Sequence, residues 1–371
     1  MPRRYLVAPD KFKGSLSANE AADAIAKGIR LQEPDSSIDL CPIADGGEGF
    51  METLAAAMGG SWISCPAVDA LGRAITSRYL LVNPPEGPTA IMEMAETAGL
   101  WRLTANEMNP LLATTKGVGM QISHAVCEHS IIRIVMGIGG SATNDGGAGM
   151  AAALGIDFLD EHDQKFEPNP SNLMRVRSIN GSSRIDLPEV TAACDVNNPL
   201  LGERGATAVF SKQKGSTAEA RIALEAALAH LVAVSGATDA ANMPGAGAAG
   251  GLGFGLLYFT GAELTSGFDL IAGLLNLESR IGMADHVITG EGSIDHQSLS
   301  GKGPVAVARL ARSLSVPVTA FCGSTDDAAR RSGVFKSLHA LSDSGLPLER
   351  LIADAAPLLT KLVSETHFQS S

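Results

Sequence analysis

The sequence predicts an α/β protein with largely parallel sheets. One unit recurs along it: a short apolar or β-branched run, a loop of Gly, Asp and Ser residues, and an Ala-rich stretch with helical spacing. Strand and helix signals that alternate in this way predict parallel strands with helices on both faces of each sheet. With 371 residues the chain is longer than one hydrophobic core usually serves, so two domains are expected.

The elements follow one another in a regular order. Strand-like runs lie at residues 5–8, 38–43, 131–136, 190–194, 286–288 and 316–321. The first helix is expected to begin near Leu16, where Ser17 and Glu20 have the spacing of a capping box. The helix after the second strand is expected to end at Gly59 and Gly60, since glycine readily takes the left-handed conformation that stops a helix.

One segment departs from the pattern. Two strand-like runs, residues 74–82 and 89–94, surround the Pro-rich segment 83–88. This arrangement predicts an antiparallel hairpin. We place one domain boundary near Pro66, before the hairpin, and a second near Gly282.

Composition limits the classes of function. The net charge of −12 argues against a general affinity for nucleic acid or anionic membranes. No apolar run reaches 18 residues, and the N-terminal apolar run is too short for a signal peptide. The five cysteines are scattered without zinc-site spacing, as expected for reduced thiols. We therefore expect a cytoplasmic protein that binds neither nucleic acid nor membrane.

Glycines and polar residues follow almost every predicted strand. In open parallel sheets, ligands bind at the carboxyl ends of the strands, so these loops are the candidate functional segments. The same residue types also form ordinary turns and helix caps, and each loop by itself is open to that interpretation.

The loop after the first strand contains two lysines, Lys11 and Lys13, on either side of Phe12. It leads into a predicted helix, whose N-terminus offers amide hydrogens and a partial positive charge. Two ammonium groups beside such a terminus would suit a carboxylate or a phosphoryl group. The alternative is a solvated basic turn.

The loop at 137–149 has six glycines in thirteen positions, together with Ser141, Asn144 and Asp145. Glycines allow backbone amides to approach phosphates closely. Asn144 and Asp145 could hold Mg²⁺ or orient a hydroxyl. The alternative is a tight turn made for packing.

Two further glycine-containing segments are less specific. Residues 245–250 match G-x-G-x-x-G, but no strand precedes them, as a dinucleotide site would require. Glu291, Asp295 and Lys302 supply two carboxylates and an ammonium group in one loop region, or else an ordinary surface loop. A G-x-x-x-x-G-K-[ST] sequence is absent, so an ATP site here would be of another kind.

Taken together, these stretches resemble the class I glycerate kinase family. The matching segments are APDKFKGSLSA at 8–18, PIADGGEG at 42–49, GGSATNDGG at 139–147, CDVNNPL at 194–200, the glycine-rich 245–253 and TGEG at 289–292. They occur in the family order over nearly the whole chain.

The resemblance implies a bacterial-type kinase that phosphorylates D-glycerate with Mg-ATP, favours 2-phosphoglycerate, and serves the use of glycolate, glucarate or galactarate. It also implies two α/β domains, one of them Rossmann- or flavodoxin-like, with residues 66–282 inserted into a domain made of 1–65 and 283–371. The active site is then expected in the cleft between them, and a homo-oligomer is left open.

Phosphoryl transfer needs mainly positioning and charge neutralisation, which guides the assignment of roles. We expect catalytic roles for Lys11, Lys13 and Asp195, with Asp195 as the candidate base. The residues expected to bind D-glycerate are Asp45, Ser15, Asn144, Asn197 and Asn198. The residues expected to bind the nucleotide are Gly139, Gly140, Ser141, Gly290, Glu291 and Lys302. Asp145 is expected to bind Mg²⁺, although which carboxylate is the base and which binds metal stays open.

Two other classes of protein remain as alternatives. A dinucleotide-dependent oxidoreductase is disfavoured because the G-x-G-x-x-G segment lacks its strand. A non-catalytic sensor of sugar acids is disfavoured because no helix-turn-helix or basic patch is evident, and because a sensor would not need both a glycine-rich cradle and several acidic loops.

Overall fold

A computed structural model describes residues 2–44, 49–301 and 303–368 of the chain. Contacts within the chain divide it into two compact units. The first unit combines the N-terminal part of the chain with Glu52–Gly59 and the C-terminal part from Phe268 onwards. The second unit is mainly Gly60–Gly267. The boundaries expected near Pro66 and Gly282 remain predictions.

The strands are β1 (Arg4–Pro9), β2 (Ser37–Leu40), β3 (Ser61–Val68), β4 (Ala74–Val82), β5 (Thr89–Glu93), β6 (Arg133–Gly137), β7 (Asp157–Leu159), β8 (Ser178–Asn180), β9 (Glu189–Ala193), β10 (Glu263–Thr265), β11 (His286–Ile294), β12 (Val318–Thr325) and β13 (Ser337–Ala340). The helices are α1 (Ala18–Gln32), α2 (Phe50–Met58), α3 (Ala95–Ala98), α4 (Lys116–Glu128), α5 (Ala148–Ala153), α6 (Ala206–Phe210), α7 (Ala218–Ser235), α8 (Thr238–Asn242), α9 (Ala248–Gly255), α10 (Gly267–Leu274), α11 (Leu277–Gly282), α12 (Pro304–Ser313), α13 (Asp327–Arg331), α14 (Leu348–Ala353) and α15 (Ala355–Ser364). A π-helical turn, Leu256–Thr260, follows α9 directly.

The first unit contains a five-stranded sheet in the order β13-β12-β11-β1-β2. Each neighbouring pair in it is parallel. From β1 the chain moves outward to β2, whereas from β11 it moves in the opposite direction to β12 and β13. The carboxyl ends of β1 and β11 therefore form a topological switch point, where open α/β sheets usually bind ligands.

The first helix begins as the sequence predicts. Ser17 caps α1 by accepting a hydrogen bond from the Glu20 amide, and the Glu20 side chain accepts one from the Ser17 amide. α1 then packs against α15 over the apolar core of the first unit, which includes Ile25, Ile29 and Leu359. The capping box and the helical periodicity together explain why this segment was predictable.

The second unit contains a six-stranded sheet in the order β10-β9-β6-β5-β4-β3. The pairs β10-β9, β9-β6 and β6-β5 are parallel, whereas β5-β4 and β4-β3 are antiparallel. The predicted hairpin is confirmed as β4 and β5. A separate two-stranded sheet is formed by β7 and β8.

The sequence analysis predicts neither β3 nor β10 of this sheet, and β3 is the more instructive of the two. Pro66 lies within β3, opposite Thr76 of β4. Proline lacks an amide hydrogen and usually interrupts a strand, but an edge strand tolerates it because one side of its backbone needs no partner. Since β3 is at the edge of the sheet, the proline is compatible with pairing that the sequence did not indicate.

Of the helices in the described part of the chain, none is long and apolar enough to cross a membrane.

The crossing of α1 and α15 leads to a stability prediction. A Cβ atom at Gly28 would lie 2.6 Å from Cβ of Val363 and 2.7 Å from the Thr360 carbonyl oxygen. We expect Gly28→Ala to lower the free energy of unfolding by about 2 kcal/mol or more, because the helices must separate. Chemical denaturation followed by circular dichroism measures the change.

Gly273 of α10 provides the matched control, since it lies in the same unit and a Cβ atom there would meet no heavy atom within 4 Å. Gly273→Ala is expected to raise the free energy of unfolding by up to about 1 kcal/mol, the helix-propensity difference between the two residues. Equal effects of the two substitutions would contradict the close crossing at Gly28.

Candidate functional site

Parallel pairing brings four strand ends of the second unit to one edge of its sheet. Along this edge lie the carboxyl ends of β5, β6, β9 and β10, which terminate at Glu93, Gly137, Ala193 and Thr265. The loops that follow β6 and β9 contain the predicted residues of this unit. The fold therefore brings these residues to one edge of the sheet, where open parallel sheets usually bind ligands.

The loop after β6 has backbone amides that the protein leaves available. Its Gly140 carbonyl accepts a hydrogen bond from the Leu100 amide at 2.8 Å, and its Ala142 amide donates to the Ala98 carbonyl at 2.9 Å. Between these fixed points, the amides of Gly139, Gly140 and Ser141 have no acceptor among the described residues. Successive amides of this kind suit an oxyanion, and the nucleotide contacts expected of these three residues remain predictions.

A buried lysine contacts this loop. The Lys214 side chain is only 2% exposed. Its Nζ donates to Ser141 Oγ at 2.8 Å and to the Thr143 carbonyl at 2.7 Å. Burial lowers the pKa of Lys214 to about 7, although the nearby Asp145 opposes this shift.

Asp145 is enclosed by donors. Its Oδ2 accepts from the amide and hydroxyl of Thr115 at 2.7 and 2.8 Å and from the Gly149 amide at 3.2 Å, and its Oδ1 accepts from the Gly147 amide at 3.1 Å. Burial raises the pKa of Asp145, and these hydrogen bonds act in the opposite direction. The contacts favour a structural role, and the metal role expected for this residue remains a prediction.

Asn144 is buried beside it. Its Nδ2 donates to Thr207 Oγ1 at 3.2 Å, and its Oδ1 has no partner among the described residues. A buried amide oxygen without a donor is uncommon and points to a ligand or water at this position. The predicted substrate contact of Asn144 is compatible with this environment.

The loop after β9 places Asp195 next to β10. Asp195 Oδ1 accepts a hydrogen bond from the Gly267 amide at 3.0 Å. Asn198 serves its own loop, because its Nδ2 donates to the Arg204 carbonyl at 2.7 Å and its carbonyl accepts from the Gly247 amide at 2.9 Å. Asn197 is exposed. Among the three residues, the exposed Asn197 therefore best fits a ligand contact, and the roles expected of Asp195 and Asn198 remain predictions.

The glycine-rich segment 245–255 is a packing element. A Cβ atom at Gly250, which has φ of +69°, would lie 1.9 Å from the Thr143 carbonyl oxygen. A Cβ atom at Gly255 would lie 2.7 Å from Cα of Gly147. Glycine is required here because two backbone segments touch. This segment therefore supports the loop after β6 directly.

The first unit has a separate set of predicted residues at its topological switch point. The Asp10 amide donates to the Gly290 carbonyl at 2.8 Å. A Cβ atom at Gly292 would lie 2.9 Å from the Lys13 amide nitrogen. The loop that contains Lys11 and Lys13, called the lysine loop below, is thus adjacent to Gly290. Glu291 follows Gly290 along β11.

The lysine loop itself is a tight turn. Phe12, which is 1% exposed, anchors it in the core. The Phe12 amide donates to the Leu16 carbonyl at 2.8 Å and the Leu16 amide donates back at 3.0 Å. The Ser15 hydroxyl donates to the Phe12 carbonyl at 3.0 Å, so it stabilises the turn. Lys11 is half-buried and Lys13 is exposed.

The expected support from a helix N-terminus is wrong for this loop. α1 begins at Ala18, beyond the Phe12–Leu16 turn, and its N-terminus is already capped by Ser17 and Glu20. The hydrogen bonds from Ser17 lower the pKa of Glu20, which adds a negative charge there. The positive charge of the loop therefore comes from Lys11 and Lys13 themselves.

Two predicted residues, Asp45 and Lys302, lie outside the described part of the chain. Within that part, no three His, Cys, Asp or Glu side chains are grouped as a metal site would require.

Sequence reasoning missed Lys214 and Thr115. Lys214 occurs in the polar segment 212–214, which resembles a surface turn. The preceding Lys212 is indeed exposed. Burial of Lys214 depends on where its turn packs, and a single sequence holds no signal for that.

Comparisons with known proteins agree with the fold and with the family that the sequence resembles. Residues 5–368 match the model of the glycerate kinase family. The chain is 41% identical over 335 residues to glycerate 2-kinase of Escherichia coli K12, which covers 87% of this chain and 86% of that protein. It is 39% identical over 368 residues to glycerate kinase of Bacillus subtilis 168, covering 96% and 95% of the two chains. A crystal structure of a Salmonella typhimurium LT2 protein assigned as glycerate kinase 2 superposes with a TM-score of 0.87 at 34% identity, covering 98% and 97%.

The contacts of Asp145 lead to a prediction that distinguishes a structural role from a metal-binding role. In Asp145→Asn, an NH₂ group replaces one oxygen and faces donors, so we expect a loss of roughly 2–3 kcal/mol in the free energy of unfolding, in EDTA as well as in Mg²⁺. A metal ligand would instead leave stability in EDTA unchanged and lose its dependence on Mg²⁺. Thermal melting in both conditions, with the exposed Asp186→Asn as control, measures the difference.

Proposed function

Because this chain belongs to the glycerate kinase family, we propose that it transfers the γ-phosphoryl group of Mg-ATP to D-glycerate, with 2-phosphoglycerate as the favoured product. The family match over residues 5–368 is the observation that carries this conclusion. The amide cradle after β6 is the part of the structure that suits it best. We also propose that the enzyme acts in the cytoplasm on these two small molecules and serves the use of sugar acids.

The cradle is proposed to bind an oxyanion of the substrates. Phosphoryl transfer requires the reacting groups to be positioned and their charge to be neutralised, with little covalent chemistry by the protein. The amides of Gly139, Gly140 and Ser141 can donate to phosphate oxygens at no cost in competing hydrogen bonds. Preorganised donors of this kind contribute strongly to catalysis because they need no rearrangement during the reaction.

The loop lysines are proposed to supply positive charge in a protein whose net charge is −12. Lys11 and Lys13 flank a buried phenylalanine anchor, so their backbone positions are well defined. They lie beside Gly290 and Glu291 at the switch point of the first unit. We propose that they neutralise the carboxylate of glycerate or the transferring phosphoryl group.

Asp195 is proposed as the general base. The base in this reaction accepts the proton of the attacking hydroxyl, and a carboxylate at a strand end is suited to it. The Gly267 amide holds Oδ1 at 3.0 Å and so orients the carboxylate. Exposed Asn197, two residues further on, can contact a hydroxyl of the substrate.

We propose that Mg²⁺ binds together with the nucleotide. Kinase sites commonly hold this ion with one or two carboxylates together with phosphate oxygens. Asp145 fits such a role poorly because its oxygens already accept four hydrogen bonds.

The two other classes of function have less support. The G-x-G-x-x-G segment follows α8 without an intervening strand, and Gly250 packs on the Thr143 carbonyl, so it does not form a dinucleotide-binding turn. A sensor of sugar acids would be distinguished by binding without turnover.

Activity gives the first test of this proposal. With Mg-ATP and D-glycerate we expect ADP release, and we expect coupled enolase to consume the product because enolase accepts only the 2-isomer. Absence of D-glycerate-dependent ADP release would reject the kinase function. ADP release with a product that enolase leaves untouched would reject only the position of phosphorylation.

Two substitutions test the residue assignments. Lys11→Ala and Asp195→Asn are each expected to lower kcat at least about tenfold, a threshold set below the roughly 10²–10³ effect of removing a preorganised contact. Lys27→Ala and Asp186→Asn are matched controls because Lys27 and Asp186 are exposed. Melting temperatures near that of the wild type would show that folding is retained. If both variants keep wild-type kcat/KM, the roles of Lys11 and Asp195 are rejected while the kinase function stands.

A further inference from the structure

We propose that Lys214 is a positioning residue for phosphoryl transfer, whose buried ammonium shapes the loop at 139–143 and balances the charge of an oxyanion bound there. This inference rests on the proposed kinase function, and it concerns a residue that none of the sequence motifs contains. It commits to an oxyanion as the ligand chemistry, either a phosphate of the nucleotide or the carboxylate of glycerate.

Lys214 is held firmly by its own turn. The Lys214 amide donates to the Ser211 carbonyl at 3.0 Å, and the hydroxyls of Ser211 and Ser216 lie 2.8 Å apart. Both serines are buried. The turn follows α6 directly, and Thr207 of α6 contacts Asn144. One short segment therefore supports the loop after β6 at two separate places.

The ammonium group is bonded to both sides of the loop. It donates to the side chain of Ser141 at 2.8 Å and to the main-chain carbonyl of Thr143 at 2.7 Å. These contacts bracket Ala142, whose amide is already bound to the Ala98 carbonyl. The loop is thus fixed on both sides of Ser141, next to the amides that have no protein acceptor.

The ammonium form of Lys214 can donate one more hydrogen bond than the two described above. An ammonium group has three donor hydrogens, and only two of them have acceptors in the part of the chain that the structure describes. The neutral amine is satisfied by these two acceptors, whereas the charged form has a third hydrogen for a further acceptor. A bound oxyanion would supply that acceptor and would add to the negative charge of Asp145.

Charge balance at this site predicts a coupling between ligand binding and protonation. Asp145 is the titratable group that acts on Lys214 electrostatically, and the partners Ser141 and Thr143 do not titrate in this range. With burial lowering the pKa of Lys214 to about 7, the neutral amine predominates at pH 8 when the loop is empty. A nearby anion favours the charged form and raises the pKa, so anion binding at pH 8 must take up a proton.

Isothermal titration calorimetry measures this uptake directly. The full-length protein is titrated at pH 8, in two buffers of different ionisation enthalpy, with adenylyl imidodiphosphate alone and with D-glycerate alone. We expect an uptake of about half to one proton per site in the arm whose anion occupies the loop. The arm that shows it identifies the phosphate or the carboxylate as the ligand. If neither anion changes protonation in the wild type, the proposal is overturned.

Three substitutions distinguish a positioning role of Lys214 from a purely structural one. Lys214→Met removes the charge and is expected to abolish proton uptake and to lower kcat/KM by about 100-fold or more. Lys214→Arg keeps a permanent charge, so it should lose proton uptake and yet retain more activity than Lys214→Met. Lys212→Met is the matched control, because Lys212 is exposed in the same turn, and it should behave as the wild type.

The outcomes distinguish this inference from the proposed function. Wild-type kcat/KM or undiminished proton uptake in Lys214→Met would reject the role of Lys214 while leaving the kinase function intact. If Lys214→Met does not fold, undiminished proton uptake in Lys214→Arg would reject it instead. A wild type that takes up a proton on binding the analogue but releases no ADP with D-glycerate would reject the kinase function and retain the oxyanion site.

Discussion

A single buried carboxylate organises the second unit. Asp145 accepts hydrogen bonds from Thr115 at the start of α4 and from Gly147 and Gly149 at the start of α5. The Thr115 hydroxyl also accepts from the Met150 amide at 2.9 Å, which joins the two helices. The amides of Gly139, Gly140 and Ser141 lie outside this network and have no acceptor among the described residues, so they are available for the oxyanion proposed above.

Close backbone packing makes this arrangement possible. Gly250 and Gly255 lie against Thr143 and Gly147 at distances that exclude any side chain. The two glycine-rich segments, which are far apart in the chain, therefore act as one structural element. Glycine is needed mostly for contact between the segments, and the proposed anion cradle lies at the end of the loop where this packing stops. Packing and the proposed ligand binding thus depend on different glycines of the same motif.

The net charge of the protein and the lysine charges near its proposed sites have opposite signs. The protein is strongly acidic, with a net charge of −12, yet its proposed substrates are anions. Attraction over long distances is therefore not available, and binding must depend on a few local groups. The exposed Lys13 and the half-buried Lys11 contribute charge that solvent can screen, whereas the charge that Lys214 is proposed to gain when an anion binds is buried and is screened much less.

The sequence by itself determined the α/β fold, the hairpin of β4 and β5, the capping box of Ser17 and Glu20, and the family. These features depend on local periodicity, on turn residues or on short ordered motifs, all of which are readable in one chain. Tertiary structure alone decided that Pro66 lies in an edge strand, that Lys214 is buried under the loop, and that the N-terminus of α1 is separated from Lys11 and Lys13. Each of these depends on which segments pack together across long distances in the chain, and the chemical role of a lysine or a carboxylate changes with the solvent and the partners that such packing leaves to it.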